Sequence, residues 1–163
     1  MINNLYLEMI KLYKGEPKRI QHFTKVHSYC QLIGEMEKLN KETMFILETA
    51  ALVHDIAIKY CEEKYQSHTG DLQEIEGPAL AKELLDKLNF DKKVNERVQY
   101  LVGHHHTYDN IDGIYYQILV EADFIVNIYE GNKDKQTALY TYEKIFKTEC
   151  GKQIFRDMFN LEV

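Results

Sequence analysis

Apolar positions recur at intervals of three and four along most of the chain, as in Leu5, Met9 and Leu12 and again in Leu80, Leu84, Leu85 and Leu88. That spacing lays an apolar stripe along a helix of about 3.6 residues per turn, and the strict alternation of a half-buried strand is scarce. The chain reads as all-α. A first helix over 5–13 ends at Lys14-Gly15-Glu16-Pro17, a second spans 19–38 with Asn40 at the turn, and a third spans 42–60. A fourth starts at Pro78, whose missing N–H has no partner in a first turn anyway, and ends near Asn89. A fifth covers 92–105, a sixth covers 114–129, and 134–159 supplies one or two closing helices. No repeat, low-complexity tract or linker interrupts the series, so a single domain over 1–163 is expected.

Two segments break the amphipathic pattern. Between Thr49 and Ile58 the only ionisable groups are the neighbours His54 and Asp55, with apolar residues on every helical face. A carboxylate buried there must be paired or must take up a proton. The segment therefore holds either a satisfied core His–Asp pair or a functional site. Between Ile118 and Val126, Asp123 sits among bulky apolar neighbours, and Glu121 points about 200° around the helix from it. One of these acids is expected to be solvated and the other buried. The fifth helix closes on Gly103-His104-His105-His106, where adjacent imidazoles project about 100° apart and can reach different sides of a metal cluster.

His22 and His27, five residues apart on the second helix, diverge, so one points inward. His22 is preferred because Arg19, one turn earlier, shares its face and can hold an anion beside a metal. His27 reads as a partly exposed helix residue. Imidazole and carboxylate from four helices are the ligand set of a divalent transition metal.

Composition narrows the partners. With 163 residues, 45% hydrophobic and 12% aromatic, the chain can build one packed core and is not disordered. The 20 Lys and Arg against 26 Asp and Glu leave a charge of −6, which argues against nucleic-acid duplexes and anionic membranes as partners. A phosphate-bearing ligand would need local cations or a metal. Three widely spaced cysteines without a CxxC pair suggest neither disulfides nor a thiolate zinc site, and a reducing cytoplasm is the expected location. Glu8 and Lys11 interrupt what would be the apolar stretch of a signal peptide, and no membrane-length apolar run occurs.

The ordered set formed by Arg19-Ile20-Gln21-His22, by Leu52-Val53-His54-Asp55-Ile56 and by Glu121-Ala122-Asp123 resembles the HD-domain superfamily of metal-dependent phosphohydrolases, over about 18–127. The resemblance implies a compact helical bundle of the HD-domain type, with a core over 18–127 and a C-terminal helical cover over 134–159. It implies that His22, His54, Asp55 and Asp123 are the primary ligands of a divalent transition metal, Fe, Mn, Co or Zn ahead of Mg. His104 and His105 lie where some members add ligands for a second ion, giving one or two ions per chain. Glu76, or His68, stands where two-metal relatives carry another His. Lys59 lies four residues after Asp55, where several relatives place a Lys three residues after it.

The chain is also similar to a bacterial subgroup related to nucleotide-polyphosphate hydrolases of the diadenosine tetraphosphatase type. The implied reaction is hydrolysis of a small phosphate ester, a nucleotide or a relative, by a metal-activated water. Asp55 would bridge two ions, and Arg19 would clamp a phosphate oxygen. His104 or His105 would hold the second ion or protonate the leaving oxygen, and Asp123 or Glu76 would orient the nucleophile. A non-catalytic metal- or nucleotide-binding sensor is the alternative. Tyr108, Tyr115 and Tyr116 are candidates for base stacking, 107–113 for a mobile pocket edge, and the closing helix for core cover or a homodimer surface.

Overall fold

Local capping sets four of the nine helix starts. The side chains of Asn40, Asp91, Asp134 and Thr148 accept hydrogen bonds from the backbone N–H groups of Thr43, Lys93, Thr137 and Gly151, and Pro17 occupies a first-turn position. In the computed structural model, which describes all of residues 1–163, the chain forms nine helices and no strand. They are α1 (Ile2–Leu12), α2 (Pro17–Met36), α3 (Lys41–Val53), α4 (Ile58–Tyr65), α5 (Gly70–Lys87), α6 (Lys92–Val102), α7 (Ile114–Glu130), α8 (Lys135–Ile145) and α9 (Glu149–Phe159). The all-α expectation holds, and 134–159 resolves into two helices. None is long and apolar enough to cross a membrane.

α7 is the central helix. It buries 11 of its 17 residues, more than one amphipathic face can supply, because α2, α3, α8 and α9 all pack on it. α1 lays Leu5, Met9 and Tyr13 into the core against α3, and α5 pairs closely with α6. A Cβ on Gly77 would stand 2.5 Å from Val102 Cγ1, so that approach requires glycine.

Two expected boundaries are corrected. The third helix does not run through to Tyr60. It stops at Val53, residues 54–57 form tight turns with Ile56 N–H donating to Val53 O and Ile58 N–H donating to Asp55 O, and α4 then begins. Tyr13 Oη donates to Asp55 O at 2.7 Å, so α1 grips the backbone of that turn. Pro78 does not start α5. It lies in the helix interior, eight residues in, with Gly103 packed against the turn that proline opens, so that a Cβ there would lie 3.1 Å from the Pro78 ring.

The expectation that one of Glu121 and Asp123 would be solvated is also overturned, since both are buried. Glu121 is sequestered by donors: Gln117 Nε2 at 2.6 Å, Lys147 N at 2.9 Å and Thr148 N at 3.0 Å reach Oε2, and Thr148 Oγ1 reaches Oε1 at 2.7 Å. The carboxylate thereby anchors the start of α9, where a helix N-terminus favours negative charge. His27 is buried as well, bonded to Tyr6 Oη at 2.7 Å and Glu48 Oε1 at 3.0 Å, and is not the partly exposed residue expected. α8 and α9 cover the core, with Phe146 and Phe155 buried and stacked.

A methyl group at Gly151 would fall 1.9 Å from Glu121 Oε1 and 2.6 Å from Thr148 Oγ1. Gly151→Ala is expected to destabilise the fold by about 1–3 kcal/mol in denaturant unfolding, because neither atom can retreat without losing a buried hydrogen bond. An unchanged midpoint would show that the α7–α9 junction is looser than described.

Candidate metal centre

His22 comes from the second turn of α2, His54 and Asp55 from the turn after α3, and Asp123 from the middle of α7. Packing of these elements brings four ligand-type groups to one point. His22 Nε2 lies 3.1 Å from Asp123 Oδ1, 3.2 Å from Asp55 Oδ2 and 3.3 Å from His54 Nε2. His54 Nε2 lies 3.3 Å from both Asp55 Oδ2 and Asp123 Oδ1. The four residues expected to form the primary ligand set are therefore brought together.

The imidazoles are held by their other nitrogens. His54 Nδ1 pairs with Ala51 O at 2.7 Å, and His22 Nδ1 pairs with Glu130 Oε1 at 2.6 Å. Both Nε2 atoms are thereby left facing the carboxylates. An ion bound about 2.0–2.2 Å from each ligand requires neighbouring ligand atoms about 3.0–3.5 Å apart, which matches the spacing found here. Two imidazole nitrogens facing each other at 3.3 Å are poorly served by hydrogen bonding alone but well served by a shared cation.

A second group adjoins the first across Asp55. His105 Nε2 lies 3.4 Å from Asp55 Oδ1 and is the one buried side-chain nitrogen or oxygen without a hydrogen-bond partner. Its Nδ1 pairs with Val102 O at 2.8 Å. Asp55, His105 and His106 bring ligand atoms within 4.8 Å of one another, so a second ion has a candidate site in which Asp55 faces both groups. Here His106 joins in place of the expected His104. Because α6 ends at Val102, residues 103–106 follow tight turns and not helical spacing, and His104 swings outward to stack on Tyr100 and bond Tyr100 O.

The other expected residues are distributed unevenly. Arg19 lines the cleft beside His22 and is paired with Glu16 at 2.8 Å and Glu62 at 2.5 Å. Glu76 is not part of the cluster; it bonds Lys64 Nζ and Tyr65 Oη on the surface between α4 and α5. Two residues earlier, Glu74 binds the His106 N–H and the Thr107 hydroxyl, steadying the His turn. His68 is exposed, and Lys59 reaches Leu12 O and lines a different cavity. Tyr116 is buried and donates to His104 O and Thr107 O, and Tyr115 accepts from Arg97 Nε, with the Arg97 guanidinium 5.2 Å from its ring centroid. Arg97 also ties Asp112 at 2.6 Å, which pins the loop expected to be a mobile edge. Tyr108 alone of the three is exposed, packed on Phe124.

The cluster opens into a cleft of about 520 Å³ lined by Tyr13, Lys18, Arg19, His22, Lys25 and Asp55, among others. Of the three cations at its mouth, Arg19 is paired with Glu16 and Glu62 and Lys25 with Glu130, while Lys18 has no ion-pair partner. Sequence reasoning missed Tyr13, Lys25, Glu74, His106 and Glu130. Of these, only His106 carried a sequence signal, as the third member of the His run.

Burial pulls imidazolium pKa values down, but here the carboxylates outweigh it. Asp123 and Asp55 push His22 up to about 11, and Asp55 and Asp123 push His54 up to about 10. Burial raises a carboxyl pKa, yet His54 and His22 hold Asp55 and Asp123 well below the usual range. Without an ion the quartet is thus two imidazolium–carboxylate pairs. His106 differs: burial, then the neighbouring His105, lower it to about 4, leaving a neutral nitrogen.

The family model described as HD domain matches residues 19–146. Among solved structures, the chain is similar to a predicted HD superfamily hydrolase from an uncultured Thermotogales bacterium, with a TM-score of 0.68 and 23% identity over 98% of this chain and 83% of that one. At that identity the likeness shows the shared fold. No curated protein matches the chain.

Two outcomes are expected from these charges. Loading a divalent ion at neutral pH must displace the imidazole protons, so calorimetry in buffers of differing ionisation enthalpy should register release of about two protons per ion, with affinity rising with pH. Absence of proton release would contradict the pairing. In the metal-free protein, the raised imidazole pKa values contribute stability that is complete below about pH 6.5 and is lost as pH rises through about 10 to 11. Thermal unfolding should show Tm falling over that range, more steeply than in His54→Gln.

Proposed function

The chain belongs to the HD-domain family of metal-dependent phosphohydrolases, and from that premise we propose that it hydrolyses a small phosphate ester, a nucleotide or close relative, in the cytoplasm. The observation that carries this reading is the convergence of His22, His54, Asp55 and Asp123 within 3.1–3.3 Å at the base of a cation-lined cleft. These four residues would hold a divalent ion such as Fe, Mn, Co or Zn, and Asp55, His105 and His106 would hold a second. Bound there, the metal supplies Lewis-acid chemistry, acidifying a water and neutralising charge on a phosphoryl oxygen.

The remaining work falls to the chain itself. Arg19, one turn before His22, would exchange Glu16 or Glu62 for a nonbridging phosphate oxygen, which a guanidinium grips with two parallel N–H groups. Lys18, which has no ion-pair partner, lines the same cleft and would neutralise further phosphate charge. Asp123 directs Oδ1 to His22 and His54, which leaves Oδ2 to accept a hydrogen bond from the attacking water and orient it. The cleft volume lies within the range of small-ligand sites and suits a nucleotide.

The test is phosphate release from a panel of nucleotides with Mn, Fe, Co, Zn or Mg. Asp55→Ala is expected to lower turnover more than about 100-fold, beyond the 10–100-fold typical of losing a ligand's outer partner. Arg19→Ala should raise KM with the ion still bound. A nucleotide that raises Tm without releasing phosphate under any metal would instead identify a sensor.

A further inference from the structure

His22 is held differently from His54 and His105. His54 and His105 each direct Nδ1 to a carbonyl three residues earlier in their own turns, Ala51 O and Val102 O, so their orientation is fixed by local backbone. His22 has no such local partner. Its Nδ1 meets Glu130 Oε1 at 2.6 Å, 108 residues away in sequence. The other oxygen of Glu130 pairs at 3.1 Å with Lys25 Nζ, which rises from α2 one turn after His22.

The placement of Glu130 is unfavourable for its own helix. It is the last residue of α7, whose final turn contains no basic residue, and a carboxylate at a helix C-terminus is repelled by the exposed carbonyls. Glu130 also lies seven residues after Asp123, two turns along the same face. One face of α7 therefore clamps the His22 ring at both nitrogens, through Asp123 Oδ1 at Nε2 and Glu130 Oε1 at Nδ1.

We infer that Glu130 is a positioning residue for the metal centre: by accepting the Nδ1–H of His22, it sets the tautomer and ring orientation that turn Nε2 toward the ion. Lys25 holds the Glu130 carboxylate in register. This role rests on the metal-binding reading given above. Of His22, His54 and His105, His22 is the one whose alignment depends on a side chain at the cleft wall, Glu130. Its position is therefore the one most open to adjustment by a single substitution.

The experiment measures Zn²⁺ affinity by chelator competition and the His22 ring signals by ¹H–¹⁵N NMR in the Zn²⁺-loaded protein. Glu130→Ala is expected to weaken binding about 10–100-fold and to lose a slowly exchanging Nδ1–H signal. Glu130→Gln, which keeps an acceptor oxygen, should restore the signal and most of the affinity. Wild-type affinity in Glu130→Ala, or a Gln variant no better than Ala, would overturn the assignment and leave the metal centre standing. A wild-type chain that takes up no Zn²⁺, Mn²⁺ or Co²⁺ would overturn the proposed function together with this inference.

Discussion

The structure is organised around two carboxylates, the half-buried Asp55 and the buried Asp123, set among apolar helices and balanced by His22 and His54. Neither acid could be buried alone, since an isolated ionised carboxyl in such surroundings would be forced to protonate or to unfold its helix. The imidazoles resolve this only if three elements meet within hydrogen-bonding distance: α2, the turn after α3, and α7. That requirement explains why α3 gives way at Val53 without a proline or glycine to end it. The turn over 54–57 carries His54 and Asp55 to that point, with His54 Nε2 3.3 Å from Asp55 Oδ2, and Tyr13 binds the Asp55 carbonyl.

Glu121 shows what a structural solution to the same problem looks like. It is as deeply buried as Asp123 and only two residues away, yet four N–H and O–H donors satisfy it and hold the C-terminal helices onto α7. Asp123 has imidazoles where Glu121 has backbone amides and a hydroxyl. Amide donors lock a carboxylate permanently. Imidazoles release their protons to a cation and become its ligands. On the proposed reading, one acid belongs to architecture and the other to the metal centre, within a single turn of helix.

Much of this was legible in the sequence. Helical periodicity gave the fold class, and the isolated polar residues at 54, 55 and 123 stood out because their neighbours are apolar on every side. Legibility failed where tertiary contacts override local rules. Pro78 reads as a helix start, yet α5 passes through it because α6 packs closely against that turn. The His run was read with helical spacing, which favours 104 and 105, but α6 ends one residue before Gly103 and the turns beyond present 105 and 106. Glu130 had no signal at all: a glutamate at the polar end of a helix resembles any solvated acid until α2 is folded beside it.

The most direct test is anomalous diffraction from crystals of the Mn²⁺-loaded protein. A peak bounded by His22 Nε2, His54 Nε2 and the carboxylates of Asp55 and Asp123 is the predicted result, with any second peak on the His105 and His106 side of Asp55. Absence of density at that point, with the four side chains still bonded directly to one another in the presence of excess metal, would show that the cluster is a buried ion-pair network and not a metal centre.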